Sequence, residues 1–368
     1  MSAPSLAMPA VPAPLGRPRR STPTRLRQLL IMLFAAAVVF WLTATILQRG
    51  LQAVTQSTRD TASPAYLDAV QARAELSDAD RAAWQSFRSG AAQLTGPGQQ
   101  YQNDITTAGE ALERLAALQS PGSSDSSVLQ TISGQLVTYQ GLVEQADAAY
   151  RRDIALGSAS KDDLGFAYLT YAGNAMRDPQ GGLLASIDKL AGPSQQALHG
   201  RLASPWADPA LMLAFAVPAL GTIIGIAAGQ AFLQRRFKRV ISLPMLLAAV
   251  AACGLSAWLI IATLHADAAF AAARSTALPR LTEVWAVQIR AVDAEASTLR
   301  ANTTPAVSAT SSGGLNVVAT QRASSALDAD LASAANTDGL AIGIPALAAA
   351  IAVLAYVGFR PRLNEYRG

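Results

Sequence analysis

Residues Ala210 to Leu264 read ALMLAFAVPALGTIIGIAAGQAFLQRRFKRVISLPMLLAAVAACGLSAWLIIATL. Two apolar runs, Ala210–Phe232 and Ile241–Leu264, flank a short turn that holds Arg235, Arg236, Lys238 and Arg239 and no acid. A helix of about 20 apolar residues crosses a hydrocarbon layer of about 30 Å, and neither run contains Asp, Glu, Lys or Arg. The pair reads as a membrane hairpin. Lys and Arg collect in short loops on the cytoplasmic side, so the turn is expected to face inward.

Two further runs extend this reading. Leu29–Leu47 follows Arg17, Arg19, Arg20, Arg25 and Arg27, and Leu340–Phe359 precedes Arg360, Arg362 and Arg367. Both basic flanks fall on the same side as the central turn, which gives four plasma-membrane crossings with both termini in the cytoplasm. The expected segments are a disordered basic lead (1–28), crossings at 29–48, 209–232, 241–264 and 340–359, the basic turn 233–240, a short tail 360–368, and two extracytoplasmic segments, 49–208 and 265–339. A cleaved signal peptide is the competing reading of the first run. That run is longer than a usual signal core, and Thr43 to Gln48 makes a poor small-residue cleavage site, so an uncleaved anchor is expected.

The chain is 51% apolar and only 15% charged over 368 residues, as befits an integral membrane protein. Threaded this way, the inner pieces hold twelve Lys/Arg against one acid, Glu365, and the outer pieces hold seventeen against twenty-four. The pI near 9.4 therefore reports orientation in the membrane rather than nucleic-acid binding. The one cysteine, Cys253, lies in the third crossing, where it reads as a small core residue; a disulfide framework or a zinc cluster would need more.

In segment 49–208 the signal is helical. Leu129, Ile132, Leu136, Tyr139, Val143, Ala146 and Tyr150 recur at alternating spacings of three and four, as do Tyr101, Ile105, Ala108, Leu112 and Leu115, which places each set on one helix stripe. A helix from about Ser63 to Phe87 opens on Ser63-Pro64, a cap followed by proline, and carries Leu67, Val70, Leu76, Ala83, Trp84 and Phe87. Further helix is expected over Leu164–Met176 and Leu183–Leu202, with breaks at Gly96-Pro97-Gly98 and from Ser120 to Ser124. The economical solution is an antiparallel four-helix bundle. Segment 265–339 reads as a helical hairpin: one helix carries Leu281, Trp285, Ile289, Val292, Ala296 and Leu299, and a second carries Val317, Leu327, Leu331 and Ala334, with Thr320 and Ser324 between. The fold class is thus all-α membrane protein, four transmembrane helices with a four-helix bundle and a helical hairpin outside. Pro64–Ala72 can be laid beside Pro279–Ala286 with a shift of one at the proline. Internal duplication and the chance likeness of alanine-rich helices both remain open.

No Asp, Glu, Lys, Arg or His lies at membrane depth, and pumps and transporters ordinarily need them. The inner pieces are too small for an enzymatic output domain, and no catalytic, cofactor or metal site is expected. His199 and His265 read as interfacial residues, Trp206 as an outer-headgroup belt residue, Trp285 as core packing, and Asn302-Thr303-Thr304 as a formal glycosylation match. Gly221, Gly225 and Gly229 form a doubled small-xxx-small pattern, weakly echoed by Gly339 and Gly343, that serves packing within one chain or a homodimer seam. Pro218 and Pro345 are candidate kinks. At the inner face, Arg235, Arg236, Lys238 and Arg239 in the turn, and Arg360, Arg362, Leu363, Glu365, Tyr366 and Arg367 in the tail, read either as topology and lipid anchors or as a docking surface for a cytoplasmic partner.

The Leu363-x-Glu365-Tyr366-Arg367 ending and the basic central turn, within this four-crossing layout, resemble the GlnX family of GC-rich Gram-positive bacteria. Segment 49–208 also looks like a chemoreceptor sensing bundle, without the signalling module that follows the membrane there. The GlnX resemblance implies association with an amino-acid-binding lipoprotein (GlnH) and a soluble serine/threonine kinase (PknG). It further implies a non-catalytic relay of amino-acid availability, aspartate or glutamate, between them. The alternative is a scaffold that holds an envelope or secretion component without switching.

Overall fold

The computed structural model describes residues 22–119, 122–157, 164–203, 209–237, 243–301, 317–335 and 338–364. Among these every regular element is helical: α1 (Thr22–Ser57), a π turn (Thr58–Ala62), α2 (Ser63–Ser89), α3 (Ala92–Thr95), α4 (Gln99–Leu118), α5 (Ser124–Ala155), α6 (Leu164–Arg177), α7 (Leu183–Leu202), α8 (Pro209–Phe237), α9 (Leu243–Ala272), a second π turn (Ala273–Ala277), α10 (Leu278–Arg300), α11 (Val317–Ala335) and α12 (Asp338–Asn364). Two stretches, Phe34–Ser89 and Leu246–Arg300, are long and apolar enough to cross a membrane, whereas the described apolar parts of α8 and α12, Ala216–Ala231 and Gly343–Leu354, are shorter. The chain divides into two compact units, one drawn from residues 1–46, 212–259 and 340–368, the other from 47–211 and 260–339.

In the first unit the buried side chains include Ala37, Phe40 and Ala44 of α1, Thr222 and Ile226 of α8, Ala248, Ala252 and Leu255 of α9, and Ile344 and Ile351 of α12. Thr222 donates to the Pro218 carbonyl of its own helix at 2.8 Å and to the Ala36 carbonyl of α1 at 3.3 Å. A Cβ on Gly343 would come within 2.6 Å of the Trp258 ring, so this glycine lets α12 and α9 approach, while a Cβ on Gly221 or Gly225 would meet nothing within 4 Å. Gly229 is buried. Cys253 is exposed rather than in a core. Ala252 and Leu255 face inward, and the residue after Ala252 is turned by about 100° around the helix.

In the second unit, segments read from the sequence as a bundle and a separate hairpin pack together. The upper core joins α2, α4, α5, α6 and α7, with Phe87, Leu76, Tyr139, Ile132, Leu115, Leu169, Met176 and Ile187 fully buried. Removing each such side chain from water contributes roughly 1.5–3 kcal/mol. All five predicted apolar residues of α4 are buried, as are six of the seven on α5, Leu136 being half-buried. The helix breaks follow backbone chemistry: Gly90, Gly96, Gly98, Gly122 and Gly157 all sit at positive φ, where a side chain is costly. The Ser123 hydroxyl then caps α5 by accepting from the Ser126 amide. The lower core joins the end of α1 and the start of α2 to α7, α9, α10 and α11 through Leu51, Tyr66, Val70, Leu198, Phe270, Leu278, Leu281, Trp285, Leu327 and Leu331.

Helix α2 belongs to both cores and packs against α4, α7 and α10. The sequence shows one apolar stripe on it, because its second buried face carries Asp68, Asp78, Asp80 and Arg81, residue types that normally mark solvent. Those charges bury only with partners, and some of the partners lie on α10, which is why the expected hairpin does not stand apart.

Candidate functional site

Along the faces that α2, α6, α7 and α10 turn to one another runs a ladder of six alternating charges. Asp188 of α7 accepts from Arg73 of α2 at 2.6 Å, and Arg73 lies 3.8 Å from Asp293 of α10. Asp293 binds Arg177 of α6 at 2.7 Å, Arg177 binds Asp80 of α2 at 2.9 Å, and Asp80 lies 3.5 Å from Arg300 of α10. Asp80 is completely buried. The ladder is neutral as a whole, which is the condition for keeping ions out of water. Burial pulls the Arg177 guanidinium down, but Asp80 and Asp293 more than reverse this and hold it above its ordinary value. Arg300 is pulled below its ordinary value by burial.

Asp80 Oδ1, Trp84 Nε1, Tyr139 Oη and Arg177 Nη2 are buried without a hydrogen-bond partner. An unmet buried polar atom costs about 1–3 kcal/mol, so this centre is held by its surroundings rather than by its own geometry. Burial, then the charge on Asp80, pushes the Tyr139 hydroxyl well above its ordinary range. Gly173 gives the centre room: a Cβ there would lie 3.4 Å from Trp84 Nε1 and 3.6 Å from Asp80 Oδ1.

A second polar cluster lies between α2 and α4. Arg81 binds Asp78 at 2.6 Å with both side chains buried, and Gln100 donates to the other Asp78 oxygen at 3.0 Å. Asp104, nine-tenths buried, shares a hydrogen bond with Asp78; desolvation, then the charges on Asp78 and Glu75, raises its carboxyl from 3.8 to about 8. Glu75 rises from 4.5 to about 7 through burial and the Asp78 charge. At the edge of the upper core a groove of about 780 Å³ opens between α5 and α6, with Gly134 and Gly181 in its lining and Arg177 reaching it from the ladder.

Trp84 and Tyr139 were read from the sequence as stripe positions, but none of the charged residues of either cluster was singled out. The available signal was a pair of charges, Asp80-Arg81, set among Ala79, Ala82 and Ala83 in the middle of an apolar helix, where small neighbours let other helices close in. Of the residues that the sequence did single out, Gly221, Gly225 and Gly229 lie along α8, and Arg235 and Arg236 lie in its last turn; Arg360, Arg362 and Leu363 lie at the end of α12. Lys238, Arg239, Glu365, Tyr366 and Arg367 fall outside the described residues, as do Trp206 and Asn302-Thr303-Thr304. His199 and His265 are both exposed, and Trp285 is packed in the lower core. Among the described residues no group of three or more His, Cys, Asp or Glu side chains is placed to hold a metal.

Residues 54–203 match the family model of an actinobacterial sensor domain. The matched stretch covers α2 to α7 and so contains the α2–α4 cluster, the groove and four of the six ladder charges, Asp293 and Arg300 lying beyond it. It suggests a sensing or signalling role in actinobacteria and a non-catalytic one. Together with the two apolar helices it suggests a membrane protein. No curated protein and no solved structure matches the chain.

Proposed function

We propose that the chain is a non-catalytic transmembrane signal transducer of the plasma membrane. In this reading it crosses four times with both termini inside, and it relays the state of an extracytoplasmic solute-binding lipoprotein, loaded with aspartate or glutamate, to a cytoplasmic serine/threonine kinase. The observation that carries the transducing part is the charge ladder. It ties the matched stretch, through Arg73, Asp80, Arg177 and Asp188, to Asp293 and Arg300 of a segment a hundred residues downstream, so a shift in one segment is felt in the other. Packed interfaces of this kind settle into alternative arrangements rather than deforming smoothly, and a coupling of about 1–3 kcal/mol suffices to change a partner's affinity at a distant site. The lipoprotein, the amino acid and the kinase come from the likeness of the layout and of the Leu363 to Arg367 ending to the GlnX family.

The test is affinity capture of the full chain from native membranes with mass spectrometry. Recovery of a solute-binding lipoprotein and a serine/threonine kinase supports transduction, whereas envelope or secretion components alone favour the scaffold. Deleting residues 363–367 is expected to abolish kinase recovery while membrane insertion persists; unchanged recovery would remove the tail from the relay.

A further inference from the structure

The two π turns occupy equivalent places in an internal repeat. Arg59-Asp60-Thr61-Ala62-Ser63-Pro64 lines up with Arg274-Ser275-Thr276-Ala277-Leu278-Pro279 at a constant offset of 215 residues, with Arg, Thr, Ala and Pro identical. Each π turn follows an apolar helix and leads into a helix with proline at its start. In each, a backbone amide reaches five residues back, Ser63 to Thr58 and Leu278 to Ala273. Burial repeats at the same offset: Leu51, Thr55, Thr58, Ala62, Tyr66 and Val70 match Ala266, Phe270, Ala273, Ala277, Leu281 and Trp285, all buried. The structural partner of Leu281 is therefore Tyr66 and not Leu67, and the shift of one at the proline disappears.

The stripe explains the π geometry. From Leu51 to Val70, and again from Ala266 to Trp285, nineteen residues complete five turns, where an α-helix uses about 18. One surplus residue per copy must be taken up, and the wide turn takes it up where each copy packs against α7 and α11. A wide turn also leaves the preceding carbonyl in need of a donor, and the copies meet this need differently. Arg201 of α7 donates to the Ser57 carbonyl, whereas Thr276 donates to the Ala272 carbonyl from within its own turn at 2.7 Å.

We infer that the two π turns are paired register switches: the surplus residue can move by a turn along its helix, rotating the residues it passes by about 100° and advancing them by about 1.5 Å. Single wide turns inside α-helices recur at functional sites, and this one is latched from another helix in the first copy only. Arg201 thus makes the register of α1 and α2 depend on the position of α7. The inference deepens the signalling reading, but its test reads helix register and not signal. Static π turns would leave the transducer standing, and absent partners would leave the switch standing.

The test is amide hydrogen exchange on the full chain in lipid nanodiscs. Residues 58–62 and 273–277 are expected to exchange about tenfold or more faster than the helical turns on either side, as local opening demands. Deleting exposed Asp60 or Ser275 removes the surplus residue and leaves the stripe in phase, so each variant should fold, melt no lower than the parent, and lose the fast exchange. Deleting exposed Gln85 of α2, where the helix holds no surplus residue, turns buried Ser86 and Phe87 by about 100° and should lower the melting temperature. Arg201→Ala should speed exchange at 58–62 only, with Arg201→Lys partly restoring it, and Thr276→Val should speed it at 273–277 only. Exchange in the parent as slow as in the flanking turns would overturn the switch. Loss of folding in both the Asp60 and Ser275 deletions would overturn the stripe on which it rests.

Discussion

The upper and lower cores of the larger unit solve different problems with the same helices. The upper core buries charge: Asp80, Arg177, Asp293 and Arg300 are folded in, with unmet polar atoms on Asp80 and Arg177 and on neighbouring Trp84 and Tyr139. The lower core is built from two copies of one apolar stripe and stores a surplus residue in each. The first region is costly to break at any single partner, and in the proposed switch the second tolerates a change of register. The proposed relay would use both properties, a rigid part that gathers input and a compliant part that moves.

Removing one ladder partner should give the largest effect. Asp80→Ala leaves Arg177 and Arg300 buried without their common anion, a loss on the order of 3–5 kcal/mol, to be read as a lowered midpoint in denaturant titration of the full chain. Replacing Asp80, Arg177, Asp293 and Arg300 together by apolar residues of similar volume is expected to recover most of that loss, as buried ion groups often do; failure to recover would mean that the ladder itself stabilises the fold. Leu281→Ala in the lower core should cost about 2–4 kcal/mol through a cavity, with no recovery from any change of charge. If it proved milder than Arg114→Ala, the lower core would not be a packed core. Arg114 is half-exposed where it binds Asp68 at 2.9 Å, and its loss should stay below about 1 kcal/mol.

Between these sizes lies a pH effect confined to the upper core. Asp104 and Glu75 are raised from 3.8 and 4.5 to about 8 and about 7, so the folded chain binds more protons than the unfolded chain between those limits. Their contribution to stability is complete below about pH 4 and is lost as the pH rises through about 8. The melting temperature should therefore fall from pH 5 to pH 8.5, and Asp104→Asn should flatten that slope and stabilise the chain at pH 8.5. A slope unchanged in Asp104→Asn would remove this carboxyl as its source.

What the sequence made legible follows from the same contrast. The stripes of α4 and α5 and the bounds of α7 could be read because apolar residues at helical spacing announce a single buried face. Helix α2 hid its second face behind Asp68, Asp78, Asp80 and Arg81, whose partners run from the next turn and α4 to α10, over two hundred residues on, and no spacing rule reveals them. The repeat was visible at its prolines, but the surplus residue was not, because it falls where an apolar run ends and an amphipathic helix begins, and each piece keeps a regular period alone. The basic turn and the Leu363 to Arg367 ending drew notice by composition, whereas the ladder, with ordinary composition, exists only in three dimensions.

The claim on which the account turns is that the matched stretch and the segment around α10 act as one through Arg177 and Asp293. A double-mutant cycle with Arg177→Ala, Asp293→Ala and the pair, read by equilibrium unfolding of the full chain, measures that coupling. We expect an interaction energy of about 1–3 kcal/mol, within the range for residues that share a charge network. Additive losses, with a coupling near zero, would contradict it.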